Sequence, residues 1–512
     1  MVVKCNSFGL FGMDSYKVEV EASISNGKSV FDMVGLPDTA VKESKDRVRN
    51  AFKNTGFQFP VTRITVNLAP ADYKKEGPIY DFPIYMALLK ATGNLSVDYS
   101  DCAFLGELSL SGELRSINGV LPMTIKAKEC GLKKIFVPAD NAAEGAVVEG
   151  IDVYPVDNVY DVIQYFRGIK DIKPALPLPE SAYEEAEVPD FSQVKGQYEV
   201  KRALEIAAAG GHNVLLIGPP GSGKSMLAKR MPGILPDMTF EETIETTKVH
   251  SIAGALPKGA PLIRTRPFRS PHHTVSPVAL SGGGVIVKPG EVSLANNGVL
   301  FLDELPEFNR QTMEVLRQPI EDGVVTVSRA SGKYTYPCNI MLIAAMNPCP
   351  CGYFNHPKRN CSCTPKMIHK YLNRVSGPLI DRFDIHIEVP PVDYEELTGK
   401  VEEESSAKIK ERVDKARKIQ TERYKNSKTN CNARLTDAEF QQYCVITDEA
   451  AELLKSAFET MGLSARAYNR ILKVARTIAD LDASEKIEIA HVAEAVQYRS
   501  LDRKYWNRNI EE

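Results

Sequence analysis

The sequence predicts an α/β fold, in which a central domain with a parallel sheet follows an α+β domain and precedes a helical region. Apolar runs at 214–217 and 299–302 and the largely apolar segment 339–346 lead to the first part of this prediction. Apolar strands of this kind are typical of parallel sheets buried on both faces. Residues 1–170 alternate strand-like and helix-like segments, whereas amphipathic helical spacing dominates from 393 to 512. A chain of 512 residues is also too long for a single hydrophobic core.

Composition and charge exclude several classes of protein. The net charge of −3 provides no global attraction for nucleic acid, so any such binding must come from local patches or from an assembled ring. No apolar run approaches the roughly 20 residues of a membrane span, and the first residues lack the apolar core of a signal peptide. We therefore expect a cytoplasmic chain without a membrane partner, whose ten cysteines are reduced.

The predicted α+β domain spans residues 1–170. Its segments 75–81 and 106–121 resemble the segments around the catalytic serine and lysine of Lon-type protease domains. Ile79 stands where that family has its nucleophilic serine, and Leu121 falls where its lysine aligns. Since neither side chain can attack a carbonyl or accept a proton, we expect a shared fold without peptidase chemistry, used as a scaffold or for binding a partner.

Residues 171–190 are predicted to be a linker. This segment contains four prolines and four glutamates. Proline restricts the backbone and the acids repel one another, so the segment is expected to be semi-extended and to mark a domain boundary.

The central domain, predicted over 191–392, carries a phosphate-binding motif. The segment after the run 214–217 fits G-x-x-x-x-G-K-[ST], and its residues are Gly218, Pro219, Pro220, Gly221, Ser222, Gly223, Lys224 and Ser225. In such a loop backbone N–H groups converge on phosphate oxygens, the lysine reaches the β- and γ-phosphates, and the hydroxyl binds Mg²⁺. A chance match in a Gly/Pro-rich turn would require both the preceding strand and the acidic motif downstream to be accidents. The sequence therefore predicts a nucleotide-binding protein.

Polar residues follow the next two predicted strands. Asp303 and Glu304 come directly after the run 299–302, at the end of a strand where open α/β sheets place ligands. Asp303 is expected to hold Mg²⁺ through water, and Glu304 to polarise the attacking water as general base. The amide of Asn347 can hold that water or sense the γ-phosphate. A turn-forming asparagine before Pro348 is an equally good interpretation.

Four cysteines lie close together in an insertion at 349–363, and they are Cys349, Cys351, Cys361 and Cys363. Two close pairs of thiolates suit tetrahedral Zn²⁺, which would stabilise an otherwise unsupported loop. The C-x-C spacing is tighter than usual, and His356 could replace one sulfur. Four reduced thiols in a loop are the alternative.

Two arginines near the end of the chain are candidate catalytic residues. Arg382 lies between Asp381 and Asp384, and can form a local salt bridge or reach the γ-phosphate of a neighbouring subunit. Arg466 opens an amphipathic helix within the predicted lid, 393–512, where its guanidinium can close over the nucleotide. An ordinary exposed helix arginine is the other interpretation.

The order of these motifs resembles that of AAA+ ATPases. A predicted hairpin at 324–336 precedes the strand that ends at Asn347, as in the branch with a helix-2 insert and a pre-sensor-1 hairpin, which includes magnesium chelatase ATPase subunits and replicative helicases. More closely, the chain resembles the YifB/ComM family in its segments 266–274, 347–352, 376–382 and 464–480. The Lon-like N-terminal domain also fits that family.

This resemblance implies an αβα AAA+ core with a C-terminal helical lid, assembled as a homo-hexameric ring with ATP between subunits. It implies that Asn347 is sensor 1, that Arg382 is a finger acting on the neighbouring subunit, and that Arg466 is sensor 2. For the ComM members of the family it implies a DNA helicase that drives branch migration during natural transformation.

Two loops are candidates for contact with DNA in the pore of such a ring. Lys288, after the glycine run 282–284, and Lys333, at the hairpin tip 331–333, can contact phosphates. Tyr334 and Tyr336 can stack on bases. Ordinary surface loops are the alternative for both segments.

Two other functions remain open at this point. The first is a protein-remodelling or chaperone-like ATPase, in which the N-terminal domain binds a client. The second is a chelatase-like partner ATPase, although no integrin-like partner domain is recognisable. The basic insertion at 358–370 and the hairpin favour DNA, whereas the near-neutral net charge does not.

Overall fold

The computed structural model describes residues 2–178, 187–257, 259–329, 332–392, 403–427 and 429–506. Three predicted features extend outside the described residues: positions 179–186 of the linker, Ser331 at the hairpin tip, and positions 393–402, 428 and 507–512 of the helical region. Within the described ranges, no helix is both long enough and apolar enough to cross a membrane.

A mixed sheet dominates the N-terminal part of the chain. The strands of this part are β1 (Val2–Phe11), β2 (Asp14–Ser25), β3 (Val30–Val34), β4 (Arg63–Ala69), β5 (Cys102–Phe104), β6 (Glu107–Leu108), β7 (Leu114–Arg115), β8 (Lys134–Pro138) and β9 (Asp152–Val156). Seven of them form one sheet in the order β3-β4-β2-β1-β5-β8-β9. Its β1–β2 and β2–β4 pairs are antiparallel, and its other pairs are parallel. β6 and β7 pair separately.

Helices cover this sheet, and they are α1 (Thr39–Asn54), α2 (Asp81–Ala91), α3 (Val120–Glu129), α4 (Ala139–Gly145) and α5 (Val159–Phe166). α2 is buried along most of its length and packs in the core with β1 and β2. Ile79 lies in the 3₁₀ turn before α2, and Leu121 is fully buried in α3. Neither position of the Lon-like pattern therefore carries a nucleophile or a base.

The central part of the chain contains a second large sheet. The strands of this part are β10 (Val214–Ile217), β11 (Phe268–Arg269), β12 (Gly282–Gly283), β13 (Lys288–Pro289), β14 (Val299–Leu302), β15 (Val324–Arg329), β16 (Gly332–Pro337), β17 (Met341–Met346) and β18 (Ile385–Glu388). Five of these form an all-parallel sheet in the order β11-β14-β17-β10-β18. Every residue of β10, β14 and β17 is buried. The predicted α/β fold with a buried parallel sheet is confirmed.

The order of the strands determines where the predicted functional residues meet. β17 lies between β14 and β10, so the segments that follow these three strands leave the sheet side by side at its carboxyl edge. β15 and β16 form the predicted hairpin, with Val324 opposite Pro337 and Arg329 opposite Gly332. The helices of this part are α6 (Tyr198–Gly210), α7 (Lys224–Ala228), α8 (Phe240–Ala253), α9 (Pro277–Ser281), α10 (Glu291–Leu294), α11 (Arg310–Glu314), α12 (Arg317–Asp322), α13 (Pro365–Leu372) and α14 (Gly377–Ile380).

The C-terminal part is helical, as predicted. Its helices are α15 (Ser406–Arg423), α16 (Asp437–Tyr443), α17 (Asp448–Met461), α18 (Ala465–Leu481), α19 (Ile489–Gln497) and α20 (Ser500–Tyr505). α18 packs against α6 and α15, and its apolar side joins the core of the parallel sheet. A salt bridge of 2.5 Å between Arg470 and the buried carboxylate of Asp384 links α18 to the segment before β18.

The N-terminal part packs on the central part through α3 and α8. The buried carboxylate of Glu144 accepts hydrogen bonds from the Ser251 hydroxyl and from the backbone of Leu121, the latter at 2.7 Å. The backbone of Gly119 in turn donates to the Ser251 oxygen at 3.0 Å. The N-terminal part also contacts the β15–β16 hairpin, where the ring of Tyr334 packs against that of Phe11.

Candidate nucleotide-binding site

The loop between β10 and α7 has a backbone that requires its glycines. Gly221 and Gly223 adopt φ values of +78° and +91°, which residues with a Cβ rarely adopt. A Cβ on Gly218 would lie 2.3 Å from the carbonyl oxygen of Val389. The motif glycines therefore meet two requirements, a left-handed backbone within the loop and close contact with the neighbouring chain segment.

The Lys224 side chain folds back into this loop. Its ammonium donates hydrogen bonds to the carbonyl oxygens of Gly218, at 2.8 Å, and Pro219, at 2.9 Å. Burial lowers the pKa of Lys224 to about 8, although the two carboxylates that follow β14 oppose this shift. Nearby anionic oxygens would stabilise the charged form of this ammonium.

The end of β14 places oxygen ligands beside the loop. The Ser225 hydroxyl donates a hydrogen bond to Oδ2 of Asp303 at 2.5 Å, and the other carboxylate oxygen accepts one from the backbone of Glu304 at 2.9 Å. A hydroxyl and a carboxylate in contact are hard oxygen donors of the kind that Mg²⁺ prefers. The residues present therefore fit this ion.

Asn347, directly after β17, completes the group. Its Oδ1 lies 3.3 Å from the Lys224 ammonium and accepts a hydrogen bond from it. The structure thus brings four of the predicted side chains, Lys224, Ser225, Asp303 and Asn347, to one edge of the sheet. A turn-forming asparagine before Pro348, the other interpretation of the sequence, would not by itself require this contact with Lys224.

Glu304 has a partner that the sequence interpretation did not assign. Its backbone is left-handed, with φ of +52°, and its side chain is 58% exposed beside the loop. Nδ1 of His273 lies 3.5 Å from its Oε2. His273 belongs to the basic segment 264–274, which stands out in the sequence by its three arginines and its pair of histidines. Nothing in the local sequence, however, indicates that this segment packs beside the end of β14.

Arg382 is held by its own chain. Its guanidinium donates to the carbonyl oxygens of Arg317, at 3.0 Å, and Pro378, at 2.6 Å, and forms a salt bridge of 2.6 Å with Glu321. The residue is only 7% exposed, whereas the Glu321 side chain is 53% exposed. Arg382 therefore forms a salt bridge within its own chain, but its partner is Glu321 on α12, outside the motif that carries the arginine.

Arg466 lies in the first turn of α18 and is exposed. The residues flanking it, Ser464 and Ala467, line a cleft together with Gly377 and Asp381 of the α14 segment. The first turn of α18 is therefore close to the segment that carries Arg382.

The four cysteines of the insertion form one cluster. Their sulfur atoms all lie within 4.8 Å of one another, and three of the separations are 3.4, 3.6 and 3.7 Å. A tetrahedral zinc ion with bonds of about 2.3 Å separates its sulfurs by about 3.8 Å, so the spacing fits. His356 instead accepts hydrogen bonds from the backbone of Lys358 and Arg359, both at 3.0 Å, and the cluster needs no histidine.

The surroundings of the cluster favour the thiolate form of Cys351. Burial opposes ionisation of Cys351, but hydrogen bonds from the backbone of Tyr353 and Ser362 outweigh it and lower the pKa of this thiol to about 5. Burial raises the pKa of Cys349 to about 12. A bound cation would favour the thiolate form of both residues.

The predicted DNA-contact residues divide into two groups. Lys288 on β13 and Lys333 on β16 are exposed. The Tyr334 ring, however, packs 4.6 Å from the ring of Phe11, and Tyr336 is fully buried with its hydroxyl donating to the Val287 carbonyl. Alternate residues of a strand share a face, and this face of the hairpin packs against protein. The prediction that Tyr336 stacks on bases is therefore corrected.

Comparison with known protein families covers most of the chain. Residues 190–397 match a family described as magnesium chelatase, subunit ChlI. Residues 20–141 match a family described as subunit ChlI of Mg-chelatase, and residues 403–499 match the C-terminal family of the same subunit. The match at 190–397 contains the whole group of side chains around the phosphate-binding loop.

Relatives of similar length also exist. The chain is 46% identical to the uncharacterized protein YifB of Escherichia coli strain K12, over 96% of each chain. It is 44% identical to the competence protein ComM of Haemophilus influenzae, again over 96% of each. Identity to the magnesium-chelatase 38 kDa subunit of Rhodobacter capsulatus is 27%, over 31% of this chain and 50% of that protein. The chain therefore belongs to the YifB/ComM family of magnesium-chelatase-like AAA+ ATPases.

Proposed function

We propose that this ATPase is a ring motor that acts on DNA and promotes branch migration in recombination. One observation carries the ATPase part of the proposal: Lys224, Ser225, Asp303 and Asn347 meet at the carboxyl edge of three adjacent parallel strands. Open parallel sheets bind ligands at this edge. In this proposal residues 1–170 are the inactive Lon-like scaffold, 171–190 the linker, 191–392 the motor core and 393–512 the lid.

Each side chain of the group has a distinct role in this proposal. The Lys224 ammonium exchanges the carbonyls of its own loop for the β- and γ-phosphate oxygens of ATP. Ser225 and Asp303 hold Mg²⁺, which when bound neutralises charge that develops on the phosphates. Glu304 accepts a proton from the attacking water. Asn347 orients that water through its amide.

The motor is proposed to work as a homo-hexamer. Arg382 would leave the exposed carboxylate of Glu321 on assembly and contact the γ-phosphate bound to the neighbouring subunit. A guanidinium that changes partners in this way makes hydrolysis depend on assembly. Arg466 is proposed to act as sensor 2, closing over the nucleotide from the lid; the first turn of α18, which carries it, lies beside α14.

DNA is proposed to contact two places in the central part, strand β13 and the β15–β16 hairpin. Lys288 and Lys333 are exposed on β13 and β16, where their ammonium groups can meet phosphates. Tyr334 is half-buried against Phe11, so it can contact a base only if the hairpin moves away from the N-terminal part. The name of the Haemophilus influenzae relative, a competence protein, supports action on DNA during natural transformation.

The four-cysteine cluster is proposed to hold a structural zinc ion. The sulfur separations match a tetrahedral site, and all four ligands come from one short insertion. An ion there would link the two ends of a loop that has little apolar core of its own. Metal analysis of protein purified without chelator measures its occupancy.

A second candidate function rests on a cavity of about 340 Å³ between the N-terminal and central parts. Its lining includes Phe11, Tyr16, Tyr73 and Ile79. A cavity at a domain interface with both aromatic and polar lining residues suits a side chain of a partner protein. This observation favours a protein-remodelling ATPase, with a client held by the N-terminal part.

Turnover of ATP by the purified protein tests the proposal. Rates are measured alone, with single-stranded DNA and with a four-way junction, and Glu304→Gln serves as the inactive control. We expect DNA to stimulate turnover in the wild-type protein only. Turnover that is indifferent to every DNA would refute the DNA motor and favour the client-binding function, whereas absence of turnover under all conditions would contradict the proposed catalytic roles.

A further inference from the structure

The four-cysteine insertion touches the phosphate-binding loop. A Cβ placed on Gly352 would lie 2.4 Å from Cδ and 2.6 Å from Cγ of Pro220, the third residue of the G-x-x-x-x-G-K-S motif. The backbone of Gly352 is also left-handed, with φ of +84°. Glycine at this position therefore allows the insertion to pack directly against the ring of Pro220.

The cluster determines where Gly352 lies. Gly352 follows Cys351 directly, and its backbone donates a hydrogen bond of 3.0 Å to the carbonyl of Cys349. Cys349 is completely buried. The turn that presents Gly352 to the loop is thus bounded by two of the four sulfur residues.

Both ends of the insertion reach the nucleotide site. At the first end, Cys349 lies two residues after Asn347, which contacts Lys224 at 3.3 Å. At the second end, the chain enters α13, and the buried Tyr371 on that helix lies close to the backbone of Asn347. A displacement of the insertion would therefore move both Pro220 and Asn347.

We propose that the cluster and the nucleotide site are thermodynamically coupled, with Gly352 as the positioning residue between them. Zinc on the four sulfurs holds Gly352 against Pro220 and so maintains the loop in its phosphate-binding shape. Coupling between two binding sites is reciprocal, so bound nucleotide must in turn retain the metal. The inference rests on the proposed nucleotide and zinc sites and adds the link between them.

Two measurements on the wild-type chain test the coupling without depending on turnover. The first is the Kd for a fluorescent ADP analogue with Mg²⁺, before and after zinc removal under reducing conditions. The second is the rate at which a chromogenic chelator extracts zinc, with and without ADP. We expect zinc removal to weaken ADP binding at least about fivefold, the lower end of typical coupling, and ADP to slow zinc release correspondingly.

Variants localise the effect. Gly352→Ala should weaken ADP binding and accelerate zinc release, whereas Gly56→Ala should change neither. Gly56 has a similar φ of +87°, but no atom lies within 4 Å of the place that its Cβ would take, so this variant reproduces the backbone strain without the contact. Adding Pro220→Ala to Gly352→Ala removes the clashing Cγ and Cδ atoms and should restore much of the affinity.

The possible outcomes distinguish a failure of the proposed coupling from a failure of the proposed nucleotide site. Zinc-loaded protein that fails to bind ADP would refute the nucleotide site itself. Protein that binds both zinc and ADP, each with the same affinity whether or not the other is present, would overturn the coupling alone. The reciprocal measurement on the wild-type chain decides the question even if Gly352→Ala does not fold.

Discussion

Lys224 makes nucleotide affinity depend on pH. Burial lowers the pKa of this ammonium from 10.5 to about 8, against the opposing effect of Asp303 and Glu304. Phosphate oxygens in contact with the ammonium stabilise its charged form and raise that pKa again. Above pH 8, nucleotide binding must therefore be accompanied by uptake of a proton.

The size of the effect follows from the pKa. A group of pKa 8 is about 9% deprotonated at pH 7 and about 91% deprotonated at pH 9. The affinity for nucleotide should therefore fall about tenfold between these two pH values, or about 1.4 kcal/mol. Below pH 7 the contribution of Lys224 is constant.

The assay is the Kd for Mg-ADP between pH 6.5 and 9.5 at constant ionic strength. Calorimetry at pH 8.5 in two buffers of different ionisation enthalpy counts the proton directly. Lys224→Gln, which cannot titrate, should bind more weakly and show no such decline. A flat profile in the wild-type protein, or the same decline in Lys224→Gln, would refute the reasoning.

The lowered pKa of Lys224 also makes the free energy of unfolding depend on pH. Between about pH 8 and pH 10.5 the folded chain binds fewer protons at Lys224 than the unfolded chain does. The free energy of unfolding of the nucleotide-free protein should therefore gain a favourable contribution from Lys224 as pH rises through this range. Below pH 8 the penalty for burying the charged ammonium is fully present.

Three further predictions concern the interface, the hairpin and the general base. Arg382→Ala should lower turnover about a thousandfold while ADP still binds. Glu321→Gln removes the salt bridge but leaves the two carbonyl contacts of Arg382, and it should not lower turnover. Equal losses in both variants would contradict the finger role. Lys333→Ala should reduce the stimulation of turnover by DNA. It should also decrease the slope of log K for DNA binding against log salt concentration by about one, and an unchanged slope would remove Lys333 from the DNA contacts. His273→Ala should lower kcat about tenfold, because its ring nitrogen lies 3.5 Å from the Glu304 carboxylate and helps to orient it. KM should stay unchanged, and His273→Gln should rescue kcat in part. A change confined to KM would place His273 in binding instead of positioning Glu304.

Local sequence determined the chemistry at the phosphate-binding loop. The left-handed backbone at Gly221 and Gly223 depends on the residues themselves, because only glycine adopts it freely. The buried strands before Gly218 and Asp303 are equally predictable, since a parallel strand covered on both faces must be apolar throughout. These features could be predicted because each depends on a few consecutive residues.

Other parts of the site depend on which distant segments pack together. The position of β17 between β14 and β10 puts Asn347 within 3.3 Å of Lys224. Packing also places His273 beside Glu304 and encloses Tyr336, which an alternating strand pattern alone could not distinguish from an exposed tyrosine.

The contacts of Arg382 and Gly352 likewise could not be predicted from the local sequence. The arginine motif allowed a salt bridge or a finger, and only the fold brought Glu321 within 2.6 Å. The two C-x-C pairs allowed a metal site or four free thiols, but the packing of Gly352 against Pro220 joins segments more than a hundred residues apart. Sequence by itself therefore determined backbone conformation and residue chemistry, while tertiary structure decided the partners, because burial and contact are set by every element that packs around a side chain.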